Sequence, residues 1–444
     1  MAPSTPSVDN HTPVAILGAG LSGMSAAYFL QQRGVACRVF EREPLVGGHV
    51  VTVADQGYRF DRTGHLLHVA DETIRELALR WIGPEHRWVD RRSVVWSHGG
   101  YSRYPFQANA YGLPPEVARD CVMGFIRAQE RDHGPLHDFE QFCRAKFGDG
   151  ISDHFMIPYN TRLWGVTPKE ISAAWCQRFV PIPTLDDVIA GAVGVTDREL
   201  GYNTRFVYPT RGIGMLSEGL HGAIGCSVEL GRTARAIHTQ PRVLCFDNER
   251  VGYDVLINTA PLPSIVALCA DATEPVRDAA DKLRCTHLYY LDVALRSPCQ
   301  LPYHWIYVPE PRYPFYRVGC YSHFSSAMAP PGKACLYVEL VDRDAPRLDR
   351  LLPEVAAGLV EMGLIERPEA IVFARLRRLD HAFVIFDHAY DESRATVKGF
   401  LADRRVITTG RYGGWNYSAM SDAIGFGRDA AAQALDRLGQ GGAA

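Results

Sequence analysis

Between Val14 and Gly23 the chain reads VAILGAGLSG, and no other stretch restricts its possible folds as much. Val14 to Leu17 are apolar without a break, the pattern of a parallel strand buried on both faces. Gly18, Gly20 and Gly23 follow in G-x-G-x-x-G spacing. The first permits a tight turn. The second lets backbone amides approach a pyrophosphate, and the third lets the next helix lie close to the strand. Leu21 to Gln32 predicts that helix, with its N-terminus and dipole directed at the phosphates. Val35 to Phe40 predicts a second strand, and Glu41 at its end suits hydrogen bonding to a ribose. The glycines alone are a weak signal. Strand, glycines, helix, strand and acid within about 30 residues predict a dinucleotide-binding fold.

The chain continues Pro44-Leu45-Val46-Gly47-Gly48-His49. A Gly-Gly pair after the ribose acid resembles the second signature of glutathione-reductase-like FAD proteins of the amine oxidase type. In those proteins the pair approaches the cofactor's diphosphate and ribityl chain. The resemblance implies FAD in place of NAD.

At 444 residues the chain exceeds one typical domain, which predicts two interleaved domains. A hydrophobic content of 47% supports a large core. Net charge is -3 and pI about 6.6, which gives no case for nucleic acid or an anionic membrane as partner. The apolar runs are too short to span a bilayer, so no membrane insertion is expected. Residues 1–12 are polar and carry two prolines; they read as a flexible tail and not a signal peptide, and 439–444 as a second tail. Eleven cysteines without a C-x-x-C pair predict reduced thiols and a cytoplasmic location.

Along the chain, Gly57 to Asp61 predicts a short strand leading into Arg62-Thr63-Gly64-His65-Leu66-Leu67-His68. The two histidines lack a partner carboxylate or cysteine, so no metal site is expected. Asp71 to Trp81 has helical spacing with Asp71 as N-cap, and Ser93 to Tyr104 predicts a hairpin. Helical patterns run from Pro114 to about Asp153, and Trp164 to Asp187 reads as a polar, proline-bearing loop able to move. Arg211 to Ala223 predicts a helix, and Val228 to Ile237, Arg242 to Phe246 and Asp254 to Thr259 predict strands. β-branched and aromatic runs at Leu288–Leu295, Trp305–Val308, Tyr316–Cys320 and Ala334–Leu340 predict the sheet of a second domain. Helices at Pro353–Met362 and Ser421–Leu438, and strands at Ile371–Arg377 and Arg405–Thr409, complete the pattern. The terminal stretch Gly410-Arg411 to Ala423 is placed to close a flavin site. Gly410 permits close approach, Arg411 can pair with the diphosphate, and the helix N-terminus near Met420 favours negative charge.

Five pieces together resemble UDP-galactopyranose mutases, within the wider amine oxidase and protoporphyrinogen oxidase group. They are the GAGLSG turn with Glu41 and Gly47-Gly48; Gly64-His65-Leu66-Leu67-His68; Tyr159 and Trp164, five residues apart; Arg178, fourteen residues past Trp164; and Gly410-Arg411 with Tyr417. Two departures stand out: Arg284 is off the register of the second diphosphate arginine, and Ala419 stands where the mutases carry aspartate.

The resemblance implies an α/β chain. A glutathione-reductase-like FAD-binding Rossmann domain (13–75, 211–265 and 390–438) is interleaved with an α+β substrate domain. The latter comprises a mostly helical insertion and substrate loop (76–210) and a β-rich part (266–389). Ala234 would reach the adenine. His65, Arg178 and Tyr417 would serve catalysis, and Tyr159, Trp164 and Arg178 would bind substrate. Tyr307 and Arg317, in an aromatic-rich segment, are further candidates to line the sugar pocket. The activity implied is a pyranose-furanose isomerisation of a nucleotide sugar, with reduced flavin N5 as nucleophile; NAD(P)H as external reductant and a homodimer stay open. The alternative is an oxidoreductase of the amine oxidase or protoporphyrinogen oxidase kind, removing a hydride. The active-site lysine of many amine oxidases has no evident counterpart among Lys146, Lys169, Lys282, Lys333 and Lys398.

Overall fold

The computed structural model describes residues 8–175, 180–195 and 204–441. Two seven-stranded sheets organise them. The first is built on β1 (Asn10–Leu17), which leads through helix α1 (Leu21–Gln31) to β2 (Cys37–Phe40). β1 lies parallel to β2 on one side and to Arg250–Asn258 on the other. Ser227–Glu229 continues the parallel sheet beyond β2, and Val406–Thr408 joins Arg250–Asn258. An antiparallel pair, Ala236–Thr239 and Arg242–Cys245, completes it. Val14 and Ile16 pack into one core with α1 and the last helix, Met420–Gly441, while Ala15 and Leu17 enter a second core on the opposite face. Side chains alternate across a strand, so burial on both faces demands the unbroken apolar run.

Small residues let α1 sit close to its neighbours. A Cβ on Gly23 would overlap the Gly18 carbonyl, and one on Gly427 of the last helix would come within 2.5 Å of Ser22 O.

The second sheet runs in the order Ile371–Leu379, Leu288–Leu295, Ala334–Leu340, Phe315–Cys320, Trp305–Tyr307, Ser93–Ser97, Gly100–Arg103. Residues opposite one another on neighbouring strands share a face. The row Ile306, Val318, Val338 and Leu291 is buried under the helix Leu348–Glu361. The adjacent row, Tyr307, Arg317, Glu339 and Tyr290, therefore lines the other face. A register shift between Phe315 and Arg317 marks a bulge beside it.

The α/β class with a Rossmann-type FAD domain and an interleaved α+β part matches expectation. Several details differ. Residues 10–12 are not tail but the start of β1, paired with 251–253, because backbone hydrogen bonding makes no demand on polar side chains. Likewise 439–441 continue the last helix. The predicted strand Val228–Ile237 is two strands, Ser227–Glu229 and Ala236–Thr239, broken at Gly231 with φ +67°. There the chain turns beneath the ribose acid, with Gly231 N donating to Glu43 O and Arg232 N to Glu41 O. The predicted hairpin forms as Ser93–Ser97 and Gly100–Arg103 and joins the second sheet. The presumed loop from Trp164 to Asp187 contains 3-10 turns at Pro168–Glu170 and Ala173–Trp175. It also starts the helix Leu185–Val193, capped by Thr184 and Asp187. Asp71 caps its helix as expected, accepting from Ile74 N at 3.1 Å.

Gly23→Ala should force α1 off the turn. We expect a loss of about 1–3 kcal/mol, the usual cost of overpacking, in urea unfolding followed by circular dichroism, together with a lower content of bound flavin.

Candidate active site

Helix α1 begins at Gly20, which has no side-chain cap, and no acid stands in its first turn. Its first N–H groups thus face the turn without a protein acceptor side chain, a ready anion site. Gly20 bridges to Gly47, and Gly47 N donates to Ala19 O at 2.8 Å. A Cβ on Gly48 would lie 3.3 Å from the Gly20 Cα. Gly18 takes φ +99°, Gly47 +109° and Gly410 +80°, values that favour glycine. Gly410 packs on Ser22 of α1, where a Cβ would come 2.8 Å from Oγ. Arg62 Nη1 donates to Gly48 O at 2.9 Å. These glycines leave a backbone-lined cradle shaped for a diphosphate, and the donor set fits FAD.

Glu41 is buried. Its Oε2 accepts Ala19 N at 2.8 Å and its Oε1 accepts Glu43 N at 2.9 Å, so it holds the turn after β1. Ala234 is half-buried just past the Gly231 turn, against the core beneath β2.

The C-terminal motif folds over the other end of the cradle. Arg411 donates to Ser418 O at 2.7 Å and to Ala382 O at 3.2 Å, and its guanidinium lies 4.9 Å above the Tyr417 ring. These bonds hold the loop that delivers buried Met420 to the start of the last helix, where Asp422 accepts Ala419 N at 2.8 Å. Tyr417 is 39% exposed. His65 Nδ1 is buried without a partner. Burial, then the Arg411 and Arg317 cations, hold its imidazole down at about 4, so it is neutral at pH 7.

The substrate residues meet on the second sheet. Arg317 makes a bidentate pair with Glu339, Nε to Oε2 at 2.9 Å and Nη2 to Oε1 at 2.6 Å. Burial opposes the Arg317 charge, but Glu339 holds its pKa well above the ordinary value. Tyr307 packs edge-on to Tyr159 at 5.3 Å and stacks on Tyr104 at 4.6 Å. Burial raises both phenols, so Tyr159 and Tyr307 stay protonated donors. Trp164 is 2% exposed, edge-on to Trp175 and Phe383. Trp175 in turn reaches Tyr417 at 6.4 Å. Arg178 lies outside the described residues. Beyond Tyr104 a cavity of about 340 Å³ is walled by Arg91, Arg92 and Arg103.

Sequence reasoning singled out Arg284 without its partners and missed the roles of His49 and Asp61. Arg284 pairs with Glu170 at 3.1 Å and Asp387 at 3.6 Å, a surface tether. His49 lies under Tyr412 Oη, 3.2 Å from Nδ1, and burial followed by the neighbouring charges of His65, Arg411 and Arg62 lowers its pKa. Asp61 accepts Thr52 Oγ1 at 2.6 Å, Tyr208 Oη at 2.5 Å and Ile213 N at 3.1 Å. Only the strand ending at Asp61 hinted at it.

Two outcomes follow from these contacts. Glu41→Ala removes two charge-assisted bonds from the turn and should weaken FAD binding by about 1.5–3 kcal/mol, read by flavin fluorescence titration of the apoprotein. Burial pushes the Asp61 carboxyl up to about 7 from 3.8, against the lowering effect of its donors. Its contribution to stability is full at pH below the unfolded value and is lost as pH rises through about 7. Between pH 4 and 7, stability measured by urea unfolding should therefore fall less in Asp61→Asn than in the parent chain.

The model of the family "Flavin containing amine oxidoreductase" matches residues 21–435. Prenylcysteine oxidase 1 of Homo sapiens is 43% identical over 161 residues, 31% of this chain and 30% of that protein, so the match spans under a third of the relative's length. Among solved structures, a reduced UDP-galactopyranose mutase superposes with TM-score 0.90 at 24% identity, covering 96% of both chains. Wild-type putrescine oxidase bound to putrescine gives TM-score 0.65 at 15% identity, covering 96% of this chain and 99% of that one. No described helix is long and apolar enough to cross a membrane. With the glycine cradle intact and the family model spanning nearly the whole chain, this protein belongs to the flavin-containing amine oxidoreductase family and is a flavoenzyme of the amine oxidase superfamily with a UDP-galactopyranose mutase-like fold.

Proposed function

We propose that this flavoenzyme is a mutase-like isomerase that interconverts the pyranose and furanose forms of a nucleotide sugar. The observation that carries the reading is the wall of Tyr159, Tyr307 and Arg317 beside His65, continued by the arginine-walled cavity past Tyr104. An aromatic surface, phenol donors and three cavity arginines complement a sugar carrying a diphosphate. Reduced FAD, when bound, supplies the nucleophile that the isomerisation needs.

The residues divide the remaining work. Tyr159 and Tyr307, protonated, donate to sugar hydroxyls. Arg317 is neutralised by Glu339, so it orients a hydroxyl through a spare N–H without attracting a free anion. His65, uncharged, can accept a hydrogen bond at the site without adding a cation. The resemblance to the mutases assigns Arg178 to the departing diphosphate, where negative charge grows as the anomeric bond breaks. Tyr417 and the Arg411 loop shelter the site from water.

The second reading, an oxidase, has its own support: the curated relative is named as an oxidase, and so is the putrescine-bound neighbour. Against an amine substrate, the cavity past Tyr104 is walled by Arg91, Arg92 and Arg103, whose charge repels a cation.

The deciding experiment is anaerobic reduction with dithionite, incubation with UDP-hexoses and product analysis by NMR, run beside an oxygen electrode. We expect a ring-contracted or ring-expanded product only from reduced enzyme, with no stoichiometric use of reductant. Oxygen consumed one-for-one with product would establish the oxidase instead.

A further inference from the structure

Cys299, Cys320 and His323 offer three ligand atoms that all lie within 4.8 Å of one another. None of the three belongs to the flavin cradle or the substrate wall. Cys299 stands in the connection after Leu288–Leu295, Cys320 ends the strand Phe315–Cys320, and His323 lies in the single turn Tyr321–Phe324. Cys320 is 2% exposed, whereas Cys299 and His323 are half-buried and leave a path to solvent. Cys299 Sγ donates to Leu364 O at 3.6 Å, a weak bond given up when a metal replaces the thiol proton. His323 Nδ1 is 2.7 Å from Tyr303 O. A ring N–H donated there leaves Nε2 with its lone pair free, the way a carbonyl orients an imidazole ligand.

We propose that Cys299, Cys320 and His323 bind a thiophilic divalent cation of the zinc type. Two sulfurs and one imidazole nitrogen are the donor set such ions prefer. In a tetrahedral site with metal–sulfur bonds of about 2.3 Å, ligand atoms sit roughly 3.3–3.8 Å apart, so the trio needs to close by about 1 Å. Binding forms two metal–sulfur bonds and one metal–nitrogen bond. It releases two thiol protons to water and transfers no electrons. Water fills the fourth position. The ion would tie the Cys299 connection to the end of a central strand. The sequence pattern hides this, because 20 residues separate the cysteines and only the Cys320-x-x-His323 half is contiguous.

The test uses full-length, FAD-loaded protein, reduced and desalted without oxygen, then titrated with Co²⁺ as probe and Zn²⁺ as competitor. One equivalent of Co²⁺ should give tetrahedral d–d bands to the red of the flavin absorption, and Zn²⁺ should abolish them. Zn²⁺ should raise Tm and protect Cys299 from alkylation, read by peptide mass spectrometry on the unmutated chain. Cys299→Ser and His323→Ala should each weaken Co²⁺ binding at least tenfold, while Cys245→Ser should not. No stoichiometric bands, bands retained in the Cys299→Ser/Cys320→Ser variant, no protection by Zn²⁺, or a Cys299–Cys320 disulfide in the native protein would each overturn the proposal.

Discussion

The N-terminus of α1 is the constraint on which the rest depends. It is inside the protein, it has no capping side chain, and its first turn carries no acid. Orphan N–H groups in such a place are costly unless an anion meets them. The surroundings are arranged to admit one. Gly47 and Gly48 come against Gly20, Glu41 holds the turn from below through Ala19 N, and Gly410 closes over Ser22. The last helix reaches this point because Gly427 allows it to lie on α1. A chain of close backbone contacts thus runs from residue 18 to residue 427, and each contact needs a position without a Cβ.

Charge is managed differently at the two ends of the site. At the phosphate end, backbone amides and the helix dipole provide diffuse positive potential. At the substrate end Arg317 and Glu339 cancel each other. Removing one partner of such a pair would strand a buried charge, which is why both belong to the sheet's design as much as to recognition. Between them His49 and His65 are kept neutral by burial and by the cations around them. The imidazoles therefore add no charge that would compete with the arginines for a ligand.

The second sheet turns these local choices into a surface. Tyr307, Arg317, Glu339 and Tyr290 fall in one row because their strands are in register, and the neighbouring row is buried under a helix. Two faces with opposite duties follow from the two-residue period of a strand. The bulge between Phe315 and Arg317 sits where a strand would be expected to re-aim a side chain.

The first half of this molecule was legible in the sequence and the second half much less so. Strand β1, α1, β2, Glu41 and the glycines are a local pattern, and each residue's reason lies within a few positions of itself. The family likewise could be read from short motifs. The break at Gly231 escaped notice because the ribose acid that the chain turns beneath is nearly two hundred residues away. Asp61 escaped because its three partners come from Thr52, Tyr208 and Ile213. Tyr307 and Arg317 could be nominated from an aromatic-rich segment, but no spacing shows that Arg317 is locked to Glu339 or that Trp164 is buried against Trp175 and Phe383. Sequence by itself determined the cofactor fold, since backbone geometry at a glycine turn is a local property. Tertiary structure alone decided which side chains face one another across the sheet, because register between distant strands is set by packing of the whole core.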